Sequence, residues 1–232
     1  MNSLFKQCAA VALNLALLTS QMSAELQQIT FDSAEWIPYQ SVGQTAGTGW
    51  NLVTGSASVS AQGAGYGGGN ALNIPANALE ETRLTREITW NAAETTAFID
   101  LRIKPAANPE NSLSNIVTNG TQLAFQVPQG SNVGEIWVYQ GSDGTRPAEW
   151  IRTAGTFNVP AGATNADGYV RLTLRHDYYH KLWDLFIDDK LAAANLSFET
   201  NIIGNLQSID FFGSEAGDQG DWLVMSCRAW FV

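Results

Sequence analysis

Apolar and polar residues alternate most cleanly between Tyr169 and Phe198, YVRLTLRHDYYHKLWDLFIDDKLAAANLSF. Val170, Leu172 and Leu174 fall on one side and Arg171, Thr173 and Arg175 on the other. A period of two marks a strand with one buried face. His176 to His180 breaks the alternation and is expected to be a loop. Trp183, Leu185 and Ile187 then resume it, with Asp184 and Phe186 opposite. Asp188-Asp189 suits a two-residue hairpin turn, since aspartate tolerates positive φ, and Lys190 to Ala194 lead back. A meander of this kind cannot bury its apolar face alone and must pack on a second sheet.

The same short-strand rhythm runs through the rest of the chain. Strands are predicted at 26–31, 50–53, 57–60, 71–74, 82–90, 95–103, 122–127, 135–140, 149–152, 155–159, 208–212 and 222–232, separated by Gly, Pro, Asn and Asp. Apolar residues nowhere hold helical spacing over three turns; short helical turns are conceivable only at 75–82 and 199–203. Many short strands with frequent turn signals predict an all-β, two-sheet antiparallel β-sandwich. The glycine-dense stretch GAGYGGGN at 63–70 is followed by Ala-Leu-Asn-Ile, a strand rather than a helix. It lacks the Lys-Ser/Thr of a phosphate loop and reads as a turn or bulge.

The N-terminus departs from this pattern. Lys6 precedes the apolar run CAAVALNLALLTS, which has the length of a signal-peptide core and is too short to span a bilayer. Cleavage is expected after Ala24, leaving 25–232 as a single domain, secreted, extracellular or periplasmic. Cys8 lacks the small residues that precede a lipoprotein cysteine. Cleavage removes Lys6 and no acid, so the remainder carries eleven basic against twenty-two acidic side chains. That balance argues against nucleic acid and anionic membranes. It is compatible with neutral glycans or with calcium. Cys227 would be the remaining cysteine and is expected in the core.

Four pieces resemble the concanavalin A-like lectin/glucanase superfamily, its laminin-G-like jelly rolls in particular. These are Phe31-Asp32 at the end of the first strand; Gly49-Trp50 with Gly65-Tyr66-Gly67-Gly68-Gly69-Asn70-Ala71-Leu72; the hairpin Trp183-Asp184-Leu185-Phe186-Ile187-Asp188-Asp189; and the closing Gly220-Asp221-Trp222-Leu223-Val224. The resemblance spans the whole of 25–232 and implies a concanavalin A-like jelly roll. It does not decide function.

Three chemistries were weighed. Glycoside hydrolysis needs two carboxylates across the sugar, about 5 Å apart for retention, and the Glu-x-Asp-x-x-Glu strand of glucanases with this fold is absent. The nearest approach is Asp184 with Asp188. Alginate-lyase-like jelly rolls imply arginine, histidine and tyrosine on separate strands. Here Arg171, Arg175, His176, Tyr178, Tyr179, His180 and Lys181 crowd one hairpin in another order. Zinc spacing is absent. Calcium is more credible, because Asp32 ends the first strand and Asp221 begins the last, which would lie side by side; Asp210 and Asp218 are reserves. The remaining signal is aromatic. Rings bind sugar by stacking, and the candidates for a glycan-facing surface are Trp137 and Tyr139 on one face of 135–140, Trp150, Tyr178 and Tyr179 in or beside loops, and Phe186. The leading expectation is a non-catalytic carbohydrate-binding or surface-interaction module. A polysaccharide lyase or glycoside hydrolase of the same fold and a structural or adhesive protein are the alternatives.

Overall fold

The computed structural model describes residues 25–29, 50–55, 57–59, 70–75, 82–88, 95–104, 120–126, 128, 131–158, 169–199, 205–213 and 222–231. The described elements are all strands: β1 (Glu25–Ile29), β2 (Trp50–Thr54), β3 (Ser58–Val59), β4 (Leu72–Pro75), β5 (Thr82–Glu87), β6 (Thr96–Lys104), β7 (Gln122–Gln126), β8 (Val133–Gln140), β9 (Glu149–Asn158), β10 (Val170–Asp177), β11 (Leu182–Ile187), β12 (Lys190–Ser197), β13 (Ser208–Gly213) and β14 (Trp222–Phe231). All pair antiparallel. An eight-stranded sheet runs β12-β11-β10-β6-β14-β4-β3, with β1 on β14; β13-β5-β2 and β7-β8-β9 form two three-stranded sheets. The first and last strands do lie side by side, Glu25 opposite Phe231 and Ile29 opposite Cys227.

Register explains the core. Across β6, β10 and β11 the inward residues stack in rows: Leu101–Leu172–Ile187, Ile99–Leu174–Leu185 and Ala97–His176–Trp183. Leu172 and Leu185 are fully buried, and the same hydrophobic cluster takes in Leu84 of β5 and Ile136, Val138 and Phe157 of β8 and β9. All three sheets therefore turn an apolar face to one core, and the described residues form an antiparallel all-β sandwich.

The hairpin turn forms as its residues demand. Asp188 and Asp189 both have positive φ, 47° and 65°, the backbone of a two-residue turn matched to strand twist. The neighbouring strand holds the turn: Arg171 N–H donates to Asp188 Oδ1 at 3.1 Å and Arg171 Nη1 to Asp189 Oδ1 at 2.7 Å.

Two glycines seat β7–β9 on β11 and β12. Gly141 N–H donates to the Ser197 carbonyl at 3.0 Å, and a Cβ there would stand 1.9 Å from the Phe198 carbonyl oxygen. A Cβ on Gly155 would stand 2.1 Å from Ile187 Cδ1. Only hydrogen permits the Gly141 approach, which meets backbone, whereas Gly155 meets the far end of a side chain that can give way.

Several boundaries differ from expectation. The segments 149–152 and 155–159 belong to one strand, β9, whose register to β8 shifts between Glu135 and Trp137. There Thr153, Ala154 and Gly155 lie opposite Ile136 alone, and the inward positions 153 and 155 hold Thr and Gly, so the strand continues without the apolar alternation that sequence reading relies on. His176 and Asp177 complete β10 instead of opening the loop. The leader, most of the glycine-dense stretch, Asp32, Asp218 and Asp221 lie outside the described residues.

Candidate functional site

The six aromatic residues singled out from sequence do not converge. Three do. On β8, Gly134, Ile136, Val138 and Gln140 point inward, so Glu135, Trp137 and Tyr139 share the outer face. Cross-strand pairing places Trp150 opposite Tyr139 and Arg152 opposite Trp137. The Tyr139 and Trp150 rings meet edge to face, centroids 5.3 Å apart at 66°. Trp137, Tyr139 and Trp150 are each half-buried. An aromatic ring lying on a pleated sheet is held by its neighbours and still offers one face outward.

Polar groups hold this patch in place. Trp137 Nε1 donates to Glu135 Oε2 at 3.2 Å, and Arg152 Nη2 pairs with Glu135 Oε1 at 3.0 Å. Glu135 thus fixes the indole on its own strand and the guanidinium on the next. The Tyr139 hydroxyl lies beside Glu199; burial, then the Glu199 charge and hydrogen bond, raise its pKa above the ordinary tyrosine value. Gln122 pairs with Tyr139 from β7. The result is a short aromatic row with carboxylate, guanidinium and amide groups at its margin, the composition that holds a hydroxyl-rich ring by stacking and hydrogen bonds.

The other three candidates scatter. Tyr178 corrects the expectation of a surface residue: it is 4% exposed, and its ring stacks on Phe198 at 5.4 Å and 7°. Its hydroxyl is hydrogen-bonded to His176 Nδ1 at 2.9 Å, and its backbone N–H donates to the Thr95 carbonyl. Side-chain direction in a turn follows no period, so nothing in the spacing announced this. Tyr179 is 76% exposed at the tip of the same turn, against His180. Phe186 is half-buried on the outer face of the large sheet, paired with Thr173.

The polar cluster of the meander is tied internally. Asp100 Oδ1 and Oδ2 accept from Arg171 Nε and Nη2 at 2.9 Å each, and Thr173 adds a hydroxyl at 3.2 Å. These bonds raise the Arg171 pKa further. Asp184 Oδ2 takes Arg175 at 2.5 Å while its Oδ1 takes the Asn195 N–H at 2.8 Å. His176 is buried among Tyr178, Trp183 and Phe198, and its Nε2 is hydrogen-bonded to Thr121. Burial pushes its pKa down to about 3, so at neutral pH it is uncharged and walled off from any substrate. Among the described residues no three His, Cys, Asp or Glu side chains converge as a metal site, and no helix is long and apolar enough to cross a membrane.

No family model matches the chain, and no curated protein matches it. Solved structures do. One is a sialidase, 12% identical with a TM-score of 0.53, covering 88% of this chain and 18% of that one. Another is a carbohydrate esterase from the Shiga toxin-encoding bacteriophage phi24B, 15% identical with a TM-score of 0.52, covering 90% of this chain and 99% of that one. At these identities the likeness is one of fold, and the chain spans under a fifth of the sialidase.

Proposed function

We propose that this chain is an exported carbohydrate-binding module, acting without catalysis, whose ligand face is Trp137, Tyr139 and Trp150. The observation that carries it is the alignment of three half-buried rings on the outer face of β8 and β9, with Glu135 and Arg152 locked beside them. A sugar ring laid on them would trade water for apolar contact on its C–H face and meet hydrogen-bonding groups at its rim. The names of the two similar structures, both proteins of carbohydrate chemistry, agree with a glycan partner.

Retention on insoluble polysaccharides tests the reading. The chain is expected to be retained, and Trp137→Ala with Trp150→Ala to weaken retention about tenfold or more, since stacked aromatics carry much of such binding. Equal retention of the double variant would remove the face from consideration. Release of reducing or unsaturated ends from any polysaccharide would replace the module by an enzyme of the same fold, the second reading. Calcium on Asp32 and Asp221 is the accompanying proposal; a melting midpoint unmoved by chelator would dismiss it.

A further inference from the structure

A second, polar site lies on the sheet β13-β5-β2. In β5 Leu84, and just after it Ile88, are buried inward, so Arg83, Thr85 and Glu87 share the opposite face. The register sets Asp210 across from Thr85 and Ser208 across from Glu87. The chain before β13 is pinned to the end of β5 by a bond from Ile88 N–H to the Gln207 carbonyl at 2.9 Å. Together these residues line a cleft of about 480 Å³, within the roughly 300–1,000 Å³ range of small-molecule sites. Its lining inverts the usual composition of such sites. Hydroxyls from Thr85 and Ser208, an amide from Gln207, carboxylates from Glu87 and Asp210 and a guanidinium from Arg83 dominate it.

One pair in the cleft is incompletely made. Asp210 Oδ2 accepts the Ser208 hydroxyl at 3.1 Å. Its Oδ1 is buried and receives no hydrogen bond, standing 3.6 Å from Arg83 Nη2. That distance is an ion pair but not a hydrogen bond. A hydroxyl group both donates and accepts. A ligand hydroxyl brought against this pair would accept from the guanidinium and donate to the carboxylate. Because Oδ1 has no exposed surface, such a hydroxyl reaches it only if the Arg83 guanidinium, whose side chain is 43% exposed, shifts outward. Two carboxylates against one guanidinium leave the lining net negative, which disfavours an acidic ligand.

The geometry points to this cleft as a binding site for an uncharged, hydroxyl-rich sugar unit, separate from the aromatic face and not dependent on it. The test uses the full chain carrying Trp137→Ala and Trp150→Ala, so that the aromatic face contributes nothing. Laminaritriose, cellotriose, mannotriose and chitotriose are offered at millimolar concentration, with sialyllactose and triglucuronic acid as acidic probes, and saturation-transfer NMR is read. At least one neutral trisaccharide is expected to bind and the acidic probes to stay silent. Asp210→Asn in that background should weaken binding about tenfold, as loss of a hydrogen bond to a charged group does. Gln207→Ala, at an exposed position that cannot disturb the core, should weaken it measurably with an unchanged melting midpoint. Silence of all neutral probes, preference for the acidic ones, or binding indifferent to both substitutions overturns the inference. Each of these leaves the aromatic face to be judged by its own polysaccharide retention.

Discussion

The meander β10–β12 and the sheet β7–β9 are both dense in aromatic and charged side chains, yet they use them differently. In the meander, apart from the exposed Tyr179, the prominent groups are closed on one another. Asp100 and Asp189 hold Arg171, Asp184 holds Arg175 and a backbone N–H, and His176 lies between Thr121 and Tyr178. On β8 and β9 Glu135 holds the Trp137 indole and Glu199 meets the Tyr139 hydroxyl, while the rings themselves remain half-open. Crowding of reactive residue types therefore marks a scaffold in one place, while sparser aromatics mark an available surface in the other. What separates them is whether the hydrogen-bonding and stacking capacity is already consumed.

The largest expected contrast sets Leu185→Ala against Trp137→Ala. Leu185 is fully buried between Leu174 and Ala193, so its truncation should cost about 2–5 kcal/mol by loss of contact and creation of a cavity. Trp137→Ala, at a half-buried surface position, should cost about 1 kcal/mol or less and act on retention by polysaccharide instead. Denaturant unfolding checks both. A Trp137 variant as unstable as the Leu185 variant would make the aromatic patch part of the core.

The buried histidine should tie stability to pH. In the unfolded chain His176 takes a proton near pH 6.5; in the folded chain burial delays this to about pH 3. Between those values the unfolded state holds more protons, so stability falls as pH falls. The effect should be about tenfold in the folding equilibrium per pH unit below the unfolded value. Depressed carboxylates such as Asp143 add their own loss only at lower pH, because their stabilisation is complete above the unfolded carboxylate range. Unfolding free energy measured from about pH 6.5 to 5.5, above the carboxylate range, isolates the histidine. His176→Gln should flatten that slope, and a slope equal to wild type would assign the dependence elsewhere.

A smaller effect separates the two ends of one ion pair. The Asp184 side chain is 5% exposed and Arg175 is 45% exposed. Arg175→Ala should change stability by less than about 1 kcal/mol, as for other pairs with a solvated end. Asp184→Ala should cost about 1–3 kcal/mol, because it also strands the Asn195 N–H. Equal losses would show that the ion pair, and not the backbone bond, is what the carboxylate contributes.

These contrasts follow what the sequence could and could not display. The inward faces Val170–Leu172–Leu174 and Trp183–Leu185–Ile187 were legible because a period of two survives wherever one face is buried, and the Asp188-Asp189 turn because few residues accept its φ values. Trp137 and Tyr139 were placed on a common face by the same alternation, and Trp183 in the core. Tyr178 was not legible, since it leaves the last strand residue at a turn where orientation depends on Phe198, twenty residues away. The continuation of β9 beyond Arg152 was not legible, because its inward positions 153 and 155 are Thr and Gly and show no apolar alternation. The cleft at Asp210 was invisible, since its lining joins β5 to β13 across more than a hundred residues and only pairing brings them together.

The smallest contrast lies at the seam between the two regions. Gly155 sits on β9, close to Arg152, and faces Ile187 at the end of β11. Gly155→Ala would place a methyl 2.1 Å from Ile187 Cδ1, the far end of a flexible side chain, so partial rearrangement should limit the cost to about 1 kcal/mol. Ile187→Val removes that carbon and alone should cost about 0.5–1.5 kcal/mol. In the double variant the two changes should compensate, with unfolding energies less than additive by about 0.5 kcal/mol or more. If β9 is seated through this contact, Gly155→Ala should also weaken polysaccharide retention, and Ile187→Val should restore it in the pair. Additive stabilities with retention unmoved throughout would mean that the aromatic face is positioned by β7 and β8 alone, independent of the meander beneath it.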